Sequence, residues 1–268
     1  MRDSGGQASA LRRITLLTDF GTADGYAAAM RGVIAGIAPR VIVDDASHDI
    51  PPGDVHAAAF ALARYAPHYP PGTVHVVVVD PGVGTARRPL AARISAQHYV
   101  APDNGVLTRV LTGVPDVHIV ELRESAYLRA GRSATFHGRD VFAPAAAHLA
   151  EGTAIEELGP PVNDPVLLTL PAPRRSPSGV QGEVVCVDRF GNLITNIPRD
   201  WLPARPAVQL GGRSVGGVRD VYAAVSPGEA VALVGSDDYL EIGVRDGHAA
   251  RLLGASRGTS VSVASDGG

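Results

Sequence analysis

Three polar clusters stand directly after short apolar, β-prone runs in the first third of the chain. Thr18-Asp19-Phe20-Gly21, with Asp24, follows Ile14-Thr15-Leu16-Leu17. Asp44-Asp45-Ala46-Ser47-His48-Asp49 follows Val41-Ile42-Val43. Asp80-Pro81-Gly82-Val83-Gly84-Thr85 follows the nearly all-Val run Val74 to Val79. Carboxylates at strand exits can take hydroxyl protons, hold a cation or orient water. Asp80 is the most telling, because a carboxylate leaving a buried strand is desolvated unless it is paired or hydrogen-bonded. Gly82 and Gly84 let backbone or ligand come close to it. The alternative is an Asp that caps its own turn.

Two further clusters carry chemistry-bearing residues. Thr135-Phe136-His137-Gly138-Arg139-Asp140 precedes a helical stretch; Asp140 could cap that helix, and His137 could project into a site and titrate near neutral pH. Asp188-Arg189-Phe190-Gly191-Asn192 reads as a hairpin turn, or as an adenine or amino-acid contact with Phe190 as a stacking face. Asp44, Asp45, His48 and Asp49 could together hold a metal, although a polar turn at a strand end is the simpler reading. The nine His residues show no zinc-type spacing. There is no phosphate-binding loop with Lys and Ser/Thr, no G-x-G-x-x-G opening a helix and no G-x-S-x-G elbow.

The elements that must position these clusters alternate at first between strand and helix. Tyr26 to Ile37, Val55 to Tyr65 (broken by Pro67), Asp103 to Leu111 and Val141 to Ala150 read as helices. A run without polar alternation, such as Val74 to Val79, fits a central parallel strand buried on both faces. The expected architecture is an N-terminal α/β domain, residues 11–170, with a central, mostly parallel sheet. Residues 171–179, rich in Pro, Ser and Arg, read as a linker. Residues 180–264 carry six short β-type runs: Gly182 to Val187, Leu193 to Ile197, Ala207 to Leu210, Ala230 to Val234, Leu240 to Val244 and Ser260 to Val263. They suggest a small all-β barrel or sandwich. In an open α/β sheet ligands bind outside the carboxyl ends of the strands, so the three N-terminal clusters point to one cleft.

Composition limits the partners. With 268 residues and 45% hydrophobic content the chain can bury a substantial core. Lys plus Arg is 24 against 27 for Asp plus Glu, a net charge of −3, which argues against nucleic-acid binding. No apolar run is long enough to span a membrane. Residues 1–10 lack the apolar core of a secretory signal, and the single cysteine, Cys186, allows no intrachain disulfide. Both features suit a cytoplasmic protein. Cys186, within Val184-Val185-Cys186-Val187, is expected to be a buried, inert thiol, and Ala264 to Gly268 a frayed tail.

Taken together, the segments ITLLTDFG (14–21), DDASHDIPPGDV (44–55), GTVHVVVVDPGVGTARR (72–88), APDNGVL (101–107), TFHGRDVFAPAAAHLA (135–150), DRFGNLITNIP (188–198) and ALVGSDDYLEI (232–242) resemble the S-adenosyl-L-methionine (SAM) hydrolases, also called SAM hydroxide adenosyltransferases. These are relatives of the fluorinase and chlorinase enzymes. The resemblance implies an α/β domain joined to a C-terminal β-barrel, and a homotrimer with SAM held at subunit interfaces. It implies SAM as substrate rather than cofactor, adenosine and L-methionine as products, and no metal. Asp19 matches the carboxylate that takes both ribose hydroxyls. Phe136 and Gly138 match residues on the ribose side, Asp188 the holder of the methionine ammonium, Phe190 and Asn192 adenine-side positions, and Ser236 the methionine end. Asp237-Asp238 stands where relatives often carry small residues or Arg. Gly53 stands where they usually carry an aromatic. Asp80, Arg87 and His137 match the triad of the hydrolytic branch; the halogenating relatives carry Tyr at the position of Asp80. The alternatives are a halogenase of the same family, a non-catalytic SAM or adenosine sensor, and a metal-dependent hydrolase using Asp44, Asp45 and His48.

Overall fold

The Val-rich run forms β3 (Val74–Val78), and all five of its residues are buried. In the computed structural model, which describes residues 12–265, β3 lies inside a six-stranded sheet. Its neighbours are β1 (Arg13–Thr18) and β5 (Gln97–Pro102), both parallel to it. Beyond β1 lies β2 (Ile42–Ser47), also parallel. Beyond β5 lie β4 (Pro89–Ile94), antiparallel, and β6 (Val117–Glu121). The order is β2-β1-β3-β5-β4-β6. The chain leaves β1 toward one edge and β3 toward the other, so a crevice opens between their carboxyl ends.

Side chains of β3 alternate between two cores. Val74, Val76 and Val78 pack with Met30 and Ile34 of α1 (Tyr26–Ile37) and with Phe142. Val77 joins Ala58, Ala59 and Leu62 of α2 (Val55–Tyr65) on the other face. Burial on both faces is why the strand shows no polar alternation. Asp54 caps α2 by accepting the Ala57 N–H at 3.0 Å, and Pro67 follows in a 3-10 turn, Ala66–His68.

Three expectations fail locally. The helix expected over Asp103 to Leu111 shrinks to α3 (Thr108–Leu111). The Asp103 carboxylate instead accepts from Arg88 and from the Val166 N–H, both at 2.7 Å, and the Asn104 amide donates to the Val79 carbonyl at 2.9 Å. Side-chain bonds of this kind compete with a helical backbone. The helix expected over Val141 to Ala150 is present, as a π-helical turn, Gly138–Phe142, that continues into α4 (Ala143–Glu151). Asp140 does not cap it. Its buried carboxylate accepts from Ser133 N–H at 2.9 Å and from Arg139, which holds it below the usual carboxylate range. Finally, Asp44 and Asp45 lie within β2 rather than in a loop after it, where a sheet edge tolerates charge.

Among the described residues, 169–265 form a second compact unit, distinct from the one ending at Leu168. Its strands are β7 (Arg174–Ser176), β8 (Gly179–Val187), β9 (Leu193–Pro198), β10 (Pro206–Leu210), β11 (Arg213–Arg219), β12 (Ala230–Val234), β13 (Tyr239–Val244) and β14 (Ser260–Ser265). Pairing of β14 with β8 closes seven of them into a barrel around Leu193, Ile197, Leu240 and Ile242. Part of the stretch expected as a linker is β7, which forms a tight hairpin with β8. Ala264 and Ser265 pair with Ala207 and Pro206, so they are not frayed, while residues 266–268 lie outside the described residues. Residues 1–11, which include the stretch 1–10 that lacks the apolar core of a secretory signal, also lie outside them. Cys186 is half-buried, next to a bulge in β8, rather than fully buried. A short helix, α5 (Ala249–Leu253), precedes β14. Among the described residues no helix is long and apolar enough to cross a membrane.

On the α2 face of the first sheet lies a buried polar cluster. Thr15 Oγ1 is hydrogen-bonded to His75 Nδ1 (2.9 Å) and to Tyr65 Oη (3.0 Å). Burial pushes the His75 pKa down to about 4. The unfolded imidazole titrates near the ordinary ~6.5. As pH falls from that value toward 4, the unfolded chain takes up a proton that the folded chain refuses, so stability is lost across that window, by about 3 kcal/mol for this group. Urea unfolding of wild type and His75→Asn at pH 7 and pH 4.5 checks this. The variant should be less stable at pH 7 yet lose less on acidification; equal losses would assign the acid sensitivity elsewhere.

Candidate active site

The crevice between the carboxyl ends of β1 and β3 holds a cavity of about 540 Å³. Asp19 enters its wall from the end of β1, Asp80 from the end of β3, and Phe136, His137 and Gly138 from the segment before α4. The three loops that the sequence placed at one sheet edge do not contribute equally. The first and third line the cavity, whereas Asp44 and Asp45 are engaged by Arg13 and Arg31. Among the described residues no group of His, Cys, Asp and Glu is arranged to hold a metal.

The loop after β2 still shapes the site. His48 Nδ1 is hydrogen-bonded to Thr18 Oγ1 (2.8 Å), and the His48 carbonyl accepts the Gly21 N–H (2.8 Å). This docking brings Gly53 to Asp19, whose Oδ2 accepts the Gly53 N–H at 2.8 Å. Gly53 has φ 73°, a backbone that favours glycine.

Asp80, Arg87 and His137 come together. Arg87 Nε donates to Asp80 Oδ1 at 3.0 Å, and its NH2 donates to Oδ2, a bidentate pair. The side chains are 5% and 8% exposed, so water screens the pair little. The same NH2 donates to His137 Nδ1 at 2.7 Å. A guanidinium has no acceptor, so Nδ1 must accept and the neutral ring carries its proton on Nε2. Burial first, and the Arg87 charge second, hold His137 below the ordinary histidine range, with Asp80 opposing. Arg87 lies behind the wall that Asp80 and His137 form, its guanidinium carbon 5.3 Å from the centre of the Phe142 ring. Consecutive turns, with Val83 N–H on the Asp80 carbonyl and Thr85 N–H on the Gly82 carbonyl, return the chain so that Arg87 meets Asp80. Gly84, at φ 79°, passes so near the Ala134 carbonyl that a Cβ would lie 2.7 Å from its oxygen.

In the second unit, Asp188, Phe190 and Asn192 form one turn. Asp188 Oδ1 accepts the N–H groups of Phe190 (2.9 Å) and Asn192 (2.8 Å), and Oδ2 accepts the Asn192 amide (3.1 Å). Phe190 projects with 76% exposure. The Asn192 amide also reaches Tyr222 Oη at 3.2 Å, and that hydroxyl donates to Glu241. Ser236 is exposed in the β12–β13 turn and is not drawn into this network; nearby Asp238 pairs with Arg199 at 2.9 Å. Phe20, within the first polar cluster, lines the cavity; Tyr26, which also lines it, and Tyr222 and Glu241 are not singled out by the sequence. Tyr26 carried a signal only as the start of a helix; Tyr222 and Glu241 stand too far from Asn192 in sequence to give one.

Comparison with known proteins identifies the family to which both parts of the chain belong. Residues 14–159 match the SAM hydroxide adenosyltransferase N-terminal domain, and residues 182–262 its C-terminal domain. An (R)-S-adenosyl-L-methionine hydrolase of Thermus thermophilus is 44% identical over 260 residues, covering 94% of this chain and 100% of the relative. One from Salinispora tropica is 41% identical over 262 residues, covering 93% and 97%. The crystal structure of an uncharacterized conserved protein from Thermotoga maritima superimposes with a TM-score of 0.88 at 35% identity, covering 94% of this chain and 99% of that one. With both halves matched in order and relatives above 40% identity along nearly all of its length, the chain belongs to the SAM hydroxide adenosyltransferase family.

Proposed function

We propose that the protein hydrolyses SAM to adenosine and L-methionine, water attacking the ribose C5′ in line with the departing sulfur. The observation that carries this reading is the Asp80–Arg87–His137 array in the wall of a cavity that also presents Asp19. Asp19, with one oxygen on the Gly53 N–H, offers its remaining lone pairs to the ribose hydroxyls. Asp188, Asn192, Phe190 and Ser236 serve the methionine and adenine ends, contributed in a homotrimer by a neighbouring subunit. The single cysteine suits a cytoplasmic setting.

The chemistry follows from the donors and acceptors. His137 Nε2–H donates to the water oxygen, and the free lone pairs of Asp80 accept a water proton. The remaining oxygen lone pair then faces C5′. As the C5′–O bond forms, the C5′–S bond breaks and its electron pair returns to sulfur, giving a neutral thioether. The proton passes to Asp80 and from there to solvent. A sulfonium is a good leaving group and needs no Lewis acid. Positive substrate and negative Asp80 become neutral together, which a water-poor site favours. Arg87 fixes the carboxylate and the His137 tautomer from behind; it is a positioning residue.

Removing the base should lower kcat by about 10²–10⁴-fold while SAM binding changes little. Asp80→Asn keeps the shape, and Asp80→Ala removes the group; hydrolysis at the wild-type rate in both would overturn the role. In ¹⁸O-labelled water the label must appear in adenosine, and unlabelled adenosine excludes attack at C5′. In Arg87→Met, His137 loses a neighbouring cation while Asp80 remains, so its pKa should rise. An NMR pH titration of the ring nitrogens reads this, and an unchanged midpoint would remove Arg87 from the account.

A further inference from the structure

One wall of the cavity is aromatic in a way the hydrolysis does not yet use. Phe20, Tyr26 and Phe136 all line it. Their ring centres lie 5.9 Å (Phe20–Tyr26), 5.9 Å (Phe20–Phe136) and 5.2 Å (Tyr26–Phe136) apart, at interplanar angles of 62°, 78° and 86°. Near-perpendicular packing keeps the rings from closing the space by stacking face to face. Phe136 already receives one cation: the Arg139 guanidinium carbon is 5.0 Å from its ring centre, with the charge of Arg139 matched by Asp140. Tyr26 is 49% exposed, large for a ring in a folded chain, and stands at the first residue of α1 beside Gly25. At Gly53 the wall carries no ring, and a Cβ there would meet only Pro81 Cβ, at 3.8 Å.

The carboxylates of the cavity wall are otherwise occupied. Asp80 is paired with Arg87, and Asp19 is tied to Gly53 and assigned to the ribose. A permanent sulfonium entering here meets a cluster of aromatic rings, a residue type whose faces attract cations through their quadrupole. Resting on the hydrolysis reading above, we infer that the Phe20–Tyr26–Phe136 wall selects the sulfonium charge, with Tyr26 as its specificity-determining residue against neutral thioether nucleosides. The attraction acts on the substrate and fades as sulfur becomes neutral. It therefore strengthens binding of the substrate without helping the chemical step, and neither product carries the charge that would hold it.

The test is a comparison of charged and neutral ligands on the whole protein. In Tyr26→Leu, KM for SAM should rise about 5- to 30-fold, with kcat unchanged or slightly higher. The inhibition constant of the demethylated neutral thioether, S-adenosyl-L-homocysteine, should move less than about twofold, because it loses apolar contact but no charge interaction. Tyr26→Phe keeps a ring and should restore the discrimination between SAM and S-adenosyl-L-homocysteine that Tyr26→Leu loses. Equal weakening of both ligands, or of neither, overturns the inference. Should Tyr26→Leu fail to fold, successive ring fluorination of the phenylalanine in Tyr26→Phe drains the quadrupole at nearly constant shape. KM for SAM must then climb with each fluorine, and a flat series overturns the inference. Wild-type protein that does not cleave SAM at all would reject the hydrolysis reading itself, a separate outcome from hydrolysis without discrimination at Tyr26.

Discussion

The water-activating wall of the first unit depends on one buried ion pair. Asp80 leaves a strand buried on both faces, and an isolated carboxylate there would face a desolvation cost of several kcal/mol. Arg87 makes the position tenable by meeting both oxygens, and its own burden is shared by His137 Nδ1 and the Phe142 ring. Desolvation costs of this size fix geometry. The loop from Asp80 to Arg87 must turn twice, Gly84 must slip past Ala134, and His137 must hold one tautomer. A single requirement, that no buried charge stand alone, thus sets the shape of the loop and the tautomer of His137.

Much of the frame was legible because its signals are local. The ends of α1 and α2 follow from apolar periodicity and from Pro67, and the double-sided burial of β3 follows from a run without polar alternation. Asp80 was suspect for the same physical reason that makes it important. Where the reading failed, side chains were bonding to distant backbone. Asp103 holds Val166 N–H and Asn104 holds the Val79 carbonyl, which removes the helix expected there. Asp140 looked like a cap but fastens Ser133. The Gly-rich β11 and the three-residue β7 carry too little apolar pattern to announce themselves.

The site shows the same division. Asp19 and Asp80 could be found from strand ends, and the Asp188–Asn192 turn from its own residue types. His137 could not be joined to Arg87 by spacing, since 50 residues separate the two. Only family resemblance grouped them with Asp80 in advance, and the folded chain supplies the reason: one guanidinium bridges a carboxylate and an imidazole. Tyr26 escaped even the resemblance. An aromatic residue opening a helix reads as packing until its ring is seen in the wall of a cavity.

The two walls of the cavity answer opposite needs of the reaction. Hydrolysing a sulfonium means starting with a cation and ending with neutral products. A wall of fixed anions would grip the cation tightly and make its loss of charge harder, since whatever stabilises the ground state more than the transition state raises the barrier. Ring faces attract a cation weakly and also accommodate the neutral thioether that replaces it. The one carboxylate beside the reacting carbon is neutralised as the substrate is, because the proton it takes comes from the attacking water. Placing Arg87 behind that carboxylate, outside the cavity, keeps a second positive charge away from the sulfonium while still orienting the base. The arrangement lets the sulfonium charge enter and be consumed, leaving no sulfonium to be held.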